Sequence, residues 1–153
     1  MGGDLLLLIS KKRYKEIQRA AICCKKFSKT EEPFAALKNL DVEYSLINLE
    51  GDLPGFINSD YNSGKQYSPH VYINKRYGKY SQKIIAAHEL GHVLLHKNDA
   101  INMLDADDKN SIREYEANIF AMEFMPQIQP KNYLILSPRE LQEYIFSKLY
   151  LIY

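Results

Sequence analysis

The apolar positions along the chain change period several times, and each change marks an element. From Ser10 the sequence is strongly charged, yet Tyr14, Ile17, Ala21, Cys24 and Ser28 recur at intervals of three and four, the stripe of an amphipathic helix with one face on a core. Thr30-Glu31-Glu32-Pro33 predicts a second, short helix through Leu40, because proline is tolerated in a first turn and acids favour a helix N-terminus. Val42 to Leu49 predicts a strand, and Gly51-Asp52-Leu53-Pro54-Gly55 a turn. Two short strands follow, Gly55-Phe56-Ile57 and His70 to Asn74, joined by a polar loop through Asn62-Ser63-Gly64-Lys65.

The period then lengthens again. Ile84-Ile85-Ala86-Ala87 and Val93-Leu94-Leu95 make the next helix apolar on nearly every side, which predicts burial. After an aspartate-rich loop from Asn98 to Asn110, Ser111 to Met125 reads as a helix stopped by Pro126. Gln127 to Leu136 is a connector containing Pro130, and Ser137-Pro138-Arg139-Glu140 opens a last helix with a capping serine, proline at its first position and glutamate at its third. Its stripe of Leu141, Tyr144, Ile145, Lys148 and Leu149 has three uses open to it: packing on the core, homo-oligomerisation, or holding a partner. The apolar end from Leu149 to Tyr153 points to an interface.

With 153 residues the chain reads as one domain, 1–153, with a core over 42–126 and helical segments 10–40 and 137–150 packed on it; a chain of this size buries about two thirds of its unfolded surface. Twenty basic against 19 acidic residues, a formal charge of +1, leave no electrostatic footprint for nucleic acid or an anionic membrane. Cys23 and Cys24 are adjacent on a predicted helix and point to different faces, so they form no ordinary bridge, and a reducing, cytoplasmic setting fits. The run Leu5 to Ile9 is too short to span a bilayer and follows Asp4 instead of a basic flank; it predicts a short strand or helix start, not an export signal.

Candidate chemistry concentrates in His88-Glu89-Leu90-Gly91-His92, a His-Glu-x-x-His pattern. Residues four apart share a helix face, with roughly 5–6 Å between their β-carbons, so both histidines can direct a ring nitrogen at one ion. Glu89 lies beside them, in reach of a water there. This is the pattern of zinc peptidases, with the glutamate as general base. Ionisable groups in a buried helix are costly unless paired or bound to metal, and three of the chain's four histidines fall between His88 and His96.

A catalytic zinc takes three protein ligands and keeps one position open. The metzincin pattern fails to supply the third, because Leu95 and Asn98 stand where it needs glycine and histidine. His96 shares the helix face but is collinear with the other two, which leaves it to support a ligand or to favour the helix C-terminus. On the following helix Glu114 has Asn118 one turn on, a partner placed to hold a metal histidine by its other nitrogen. Against this, Ser111 and Glu114 also form a capping box, and Glu116 has the same reach at a different angle. His70 reads as a surface residue. Tyr72, Tyr77 and Tyr115 are candidate oxyanion donors.

The segment His88 to His96, followed by Glu114-Tyr115-Glu116-Ala117-Asn118-Ile119-Phe120-Ala121 and Phe124-Met125-Pro126, resembles the ImmA/IrrE family of metallopeptidases over about Pro54 to Pro126. The resemblance implies a small cytoplasmic protein paired with a helix-turn-helix repressor that it cleaves. Glu123-Phe124 replaces the leucines the family usually carries before Met-Pro, a departure of packing more than chemistry.

These features predict an α+β zincin-like fold with a small mixed or antiparallel sheet and four to five helices. Its expected activity is that of a zinc-dependent endopeptidase in which His88, His92 and Glu114 hold Zn2+ and Glu89 is the catalytic base. The substrate is expected to be a helix-turn-helix repressor, with no direct nucleic acid or membrane contact, its extended backbone adding to an edge strand at His70 to Asn74. Two rival classes stay open: a zinc-binding interaction module without peptidase activity, which has no need of Glu89, and a non-peptide hydrolase using the same metal chemistry.

Overall fold

A computed structural model describes residues 9–59, 69–96 and 107–152. The predicted loop through 62–65, the apolar run before Ile9 and most of the aspartate-rich loop lie outside the described residues. Helix α1 (Lys11–Ser28) starts where Ser10 accepts a hydrogen bond from the Arg13 amide at 3.1 Å and ends at Lys29 in the left-handed conformation. Its stripe faces inward, with Ile17, Ala21, Cys24 and Ser28 buried. Helix α2 (Pro33–Asn39) is capped by the Glu32 carboxylate, which accepts from the Ala35 amide.

Three strands, β1 (Glu43–Ile47), β2 (Gly55–Ser59) and β3 (Pro69–Asn74), form a mixed sheet in the order β1-β3-β2. β3 runs parallel to β1, pairing Tyr44 with Val71, and antiparallel to β2, pairing Ile57 with Val71. This corrects the expectation that His70 to Asn74 lies at an edge. β3 is the central strand, both rows of its backbone groups are paired, and Val71 and Ile73 are fully buried on its inner face. The edge nearer the metal helix belongs to β2. Asn74, buried at the end of β3, donates to the Leu53 carbonyl at 2.9 Å and accepts from the Arg76 amide, which holds the turn before β2 in place.

Helix α3 (Lys79–Leu95) is buried through Ile84 to Val93 except at His88, which is half-buried. The C-terminal tail covers its N-terminus: the Gly78 amide donates to the Tyr150 carbonyl and the Tyr150 amide to the Ser81 hydroxyl at 2.8 Å. Helix α4 (Asp107–Phe124) begins one turn earlier than the Ser111 start predicted. It packs along α3 and receives α1 on its other side. The two helices approach closely because position 91 has no side chain; a Cβ there would lie 3.0 Å from the Phe120 Cβ.

Short 3-10 turns over Pro126–Ile128 and Tyr133–Ile135 lead to α5 (Pro138–Phe146), which carries the predicted Ser137–Glu140 capping box. Of the three uses open to α5, packing is the one seen: Leu141 and Ile145 are buried against α4, and burying such a side chain is worth about 1.5–3 kcal/mol. The Glu123 carboxylate accepts hydrogen bonds from Tyr14, Gln18 and Tyr133, tying α1 and the turns to α4. No described helix is long and apolar enough to cross a membrane.

Candidate metal centre

The 3.6-residue period sets His88 and His92 side by side on α3, their rings edge-to-face with centroids 4.8 Å apart. Glu114 reaches across from α4. Its Oε2 lies 3.0 Å from His88 Nε2 and its Oε1 3.1 Å from His92 Nε2. The carboxylate thus faces both rings, instead of folding back to cap its own helix. Among the described residues, this is the one group of three acidic, histidine or cysteine side chains whose donor atoms, all within 4.8 Å of one another, could hold a metal ion.

Two imidazole nitrogens and one carboxylate oxygen are the donor set of a catalytic zinc. Ligand atoms about 2.0–2.1 Å from a tetrahedral ion stand roughly 3.3 Å apart; the two contacts seen here use different oxygens of Glu114, and one donor atom from each residue falls within 4.8 Å of the others, a spread that small side-chain rotations close around an ion. The residues therefore fit the metal. The outward ring nitrogens are also tied down. His88 Nδ1 lies 2.7 Å from Asn118 Oδ1, the support that the one-turn spacing from Glu114 predicts, and His92 Nδ1 lies 3.0 Å from His96 Nδ1.

Without a metal charge, one carboxylate serves two neighbouring rings. Burial alone would lower His88, but Glu114, Glu89 and Asn118 together carry it up to about 9. For His92 burial prevails: together with repulsion from His88 and His96 it overcomes the pull of Glu114, and the pKa falls to about 4. Only one of two touching imidazoles holds a proton readily. Burial would raise Glu114, yet its contacts to both rings hold it below the ordinary carboxylate range. Glu89 is pushed up to about 7 by burial, a shift that His88 opposes and Glu114 reinforces.

His88, Glu89 and Glu114 open on a cleft of about 190 Å³, with His92 buried behind them. Leu53, Pro54 and Gly55 form one side, and Ile145, Phe146 and Leu149 from α5 and the tail form the other. Gly55 is required where β2 enters, since a Cβ there would stand 2.6 Å from the Tyr72 carbonyl oxygen and 3.1 Å from Ile85 Cγ2.

The other candidates fall elsewhere. Glu116 points away from the triad to Arg13 and His96. His70 is half-buried on the sheet, 2.7 Å from Ser45 Oγ. None of the three tyrosines lines the cleft: the Tyr77 hydroxyl donates to the Asp52 carbonyl, Tyr72 stacks on Phe56, and Tyr115 is buried with its hydroxyl unpaired. The α5 wall and the Arg13 contact were missed in the sequence. Gln142, Ile145 and Leu149 at three- and four-residue spacing were a usable signal for the first; Arg13 left none.

A buried helix bearing His-Glu-x-x-His, a carboxylate from the next helix and a small mixed sheet beside them define an α+β zincin-like fold. The family model for the IrrE N-terminal-like domain, peptidase family M78, matches residues 54–134. That is more than half of the chain, which belongs to this family, the ImmA/IrrE metallopeptidases. The match covers β2 through α4 and leaves α1, α2, β1 and α5 outside it. No curated protein and no solved structure shows significant similarity to the chain.

Proposed function

We propose that the chain is a single zinc-dependent endopeptidase domain of a reducing, cytoplasmic compartment, acting on an extended segment of a DNA-binding repressor. The observation that carries this reading is the convergence of His88, His92 and Glu114 beside Glu89 at the floor of an apolar-walled cleft lined by His88, Glu89 and Glu114. Zinc bound there supplies Lewis acidity to the scissile carbonyl and acidifies a water.

The chain's own residues do the rest. Asn118 and His96 fix the two ligand rings by their outer nitrogens, so little reorganisation accompanies binding. Glu89 takes a proton from the attacking water and passes it to the leaving amine nitrogen as the peptide C–N bond breaks. β2, the edge strand whose Gly55 lies in the cleft wall, is placed to pair with the substrate backbone, a role the sequence had put on β3. Leu53, Ile145, Phe146 and Leu149 receive an apolar side chain next to the scissile bond. An added strand needs free backbone hydrogen bonds, so a folded substrate must open locally to be cut.

The near-neutral charge leaves the chain little hold on DNA, and the family's pairing with repressors points to such a protein as the link to gene control. The test is incubation of the zinc-loaded chain with the repressor encoded beside it. A single cut, lost on chelation and in Glu89→Gln while that variant keeps its zinc, is expected. An intact repressor under conditions that degrade a generic unfolded protein would overturn the substrate assignment, and full activity in Glu89→Gln the mechanism.

A further inference from the structure

We infer that Arg13, Glu116 and His96 form a directed hydrogen-bond relay that positions His92 for the metal, so that helix α1, outside the family match, is part of the metal centre. The inference rests on the metal-site reading above, with His92 binding through Nε2, the nitrogen that faces Glu114 at 3.1 Å.

A ring nitrogen that binds metal carries no proton, so neutral His92 keeps its proton on Nδ1 and donates it. The acceptor 3.0 Å away is His96 Nδ1. His96, buried at the C-terminus of α3, must then carry its own proton on Nε2, and that atom lies 2.9 Å from Glu116 Oε1. Glu116 is buried too, and a buried carboxylate stays ionised only if paired. Arg13 meets it with a two-point grip, Nε to Oε2 and Nη2 to Oε1, each at 2.8 Å. Every proton on this path is thereby assigned: the two bonds from His92 through His96 run toward the carboxylate, and the two from Arg13 meet it from the other side.

The arrangement does two things. It locks the ring angle and tautomer of His92, as Asn118 does for His88 on the other side. The ionised Glu116 at its far end also draws on the His92 proton through His96, which makes Nε2 a stronger donor to the metal. Arg13 holds Glu116 in the one orientation that reaches His96. The three are positioning residues, since none faces the cleft.

The test uses the full chain with zinc alone. Side-chain 15N shifts of the zinc-loaded protein should show His92 protonated at Nδ1 and His96 at Nε2. His96→Phe should weaken zinc in chelator competition by roughly ten- to a hundredfold, and shift the visible spectrum of the cobalt-substituted protein. Arg13→Met should weaken zinc less, and Arg13→Lys should restore part of that loss. If His96 carries its proton on Nδ1, the relay is overturned whether or not the variants fold. The same follows if His96→Phe and Arg13→Met lower only the stability of the metal-free protein and leave zinc affinity and the cobalt spectrum unmoved. Wild-type protein that binds no zinc would instead overturn the metal-site reading, and the relay with it.

Discussion

Replacing Gly91 by alanine tests how α3 and α4 are spaced, and two opposed effects decide its sign. In an ordinary helix interior the change stabilises by about 0.5–1 kcal/mol, because glycine loses more backbone freedom on folding. Here the new Cβ would stand 3.0 Å from Phe120 Cβ and 3.1 Å from its Cγ and Cδ1. Phe120 is fully buried and stacked on Phe124, and its Cβ cannot move without the α4 backbone. Relief requires the helices to part by several tenths of an ångström, and overpacking of this kind costs about 1–3 kcal/mol. Overpacking wins, for a net loss of about 1 kcal/mol, or about 2–4 °C in Tm for a chain of this length. Glu114 rides on α4, so zinc affinity should fall with stability. Thermal unfolding of the metal-free protein and chelator competition on the loaded one measure the two effects separately. A Tm raised by alanine's helix propensity, with zinc affinity unchanged, would refute the view that Gly91 sets the distance from Glu114 to the two histidines.

Three further outcomes are expected. Asn118→Ala removes the 2.7 Å partner of His88 and should lower zinc affinity by about ten- to a hundredfold, or about 1.4–2.7 kcal/mol, in the same competition assay. Phe146→Glu puts a charge on the half-exposed apolar wall of the cleft; peptides with an apolar residue beside the cut should show a raised KM, while Tm and zinc content hold. Cys23 is exposed, whereas Cys24 is buried, which pushes its thiol up to about 11 with Lys25 only weakly opposing. A thiol reagent at pH 8 should therefore titrate one fast cysteine in the native chain and two after denaturation, and the second should become reactive in the native state only as pH rises toward 11.

The features legible in the sequence are those that depend on one element at a time. His88 and His92 lie side by side because residues four apart on any α-helix do. The Ser137–Glu140 capping box and the inward stripe of α1 follow from the same local geometry. Glu114 with Asn118 was readable as a pair and ranked above Glu116, which has Phe120 one turn on, but the direction in which each carboxylate points was not. Two residues along α4 change the direction of a side chain by about 200°, and only the rotation of α4 against α3, set where Gly91 meets Phe120, decides which carboxylate faces the rings.

That same rotation delivers Glu116 to His96 and Arg13, a pairing across 103 residues that no periodicity announces. The position of β3 was misjudged for a related reason: a strand's own residues show which face is buried, while its place in the sheet depends on which other strands pair with it. The apolar end of the chain, readable as an interface, also covers the start of α3 and lines the cleft through Leu149, because the tail's Tyr150 backbone completes the hydrogen bonds of Gly78 and Ser81, while the Tyr150 and Ile152 side chains stay exposed. Local backbone geometry was thus determined by the sequence alone, and the meeting of faces far apart in the chain only by the packed fold, since that meeting depends on every element at once.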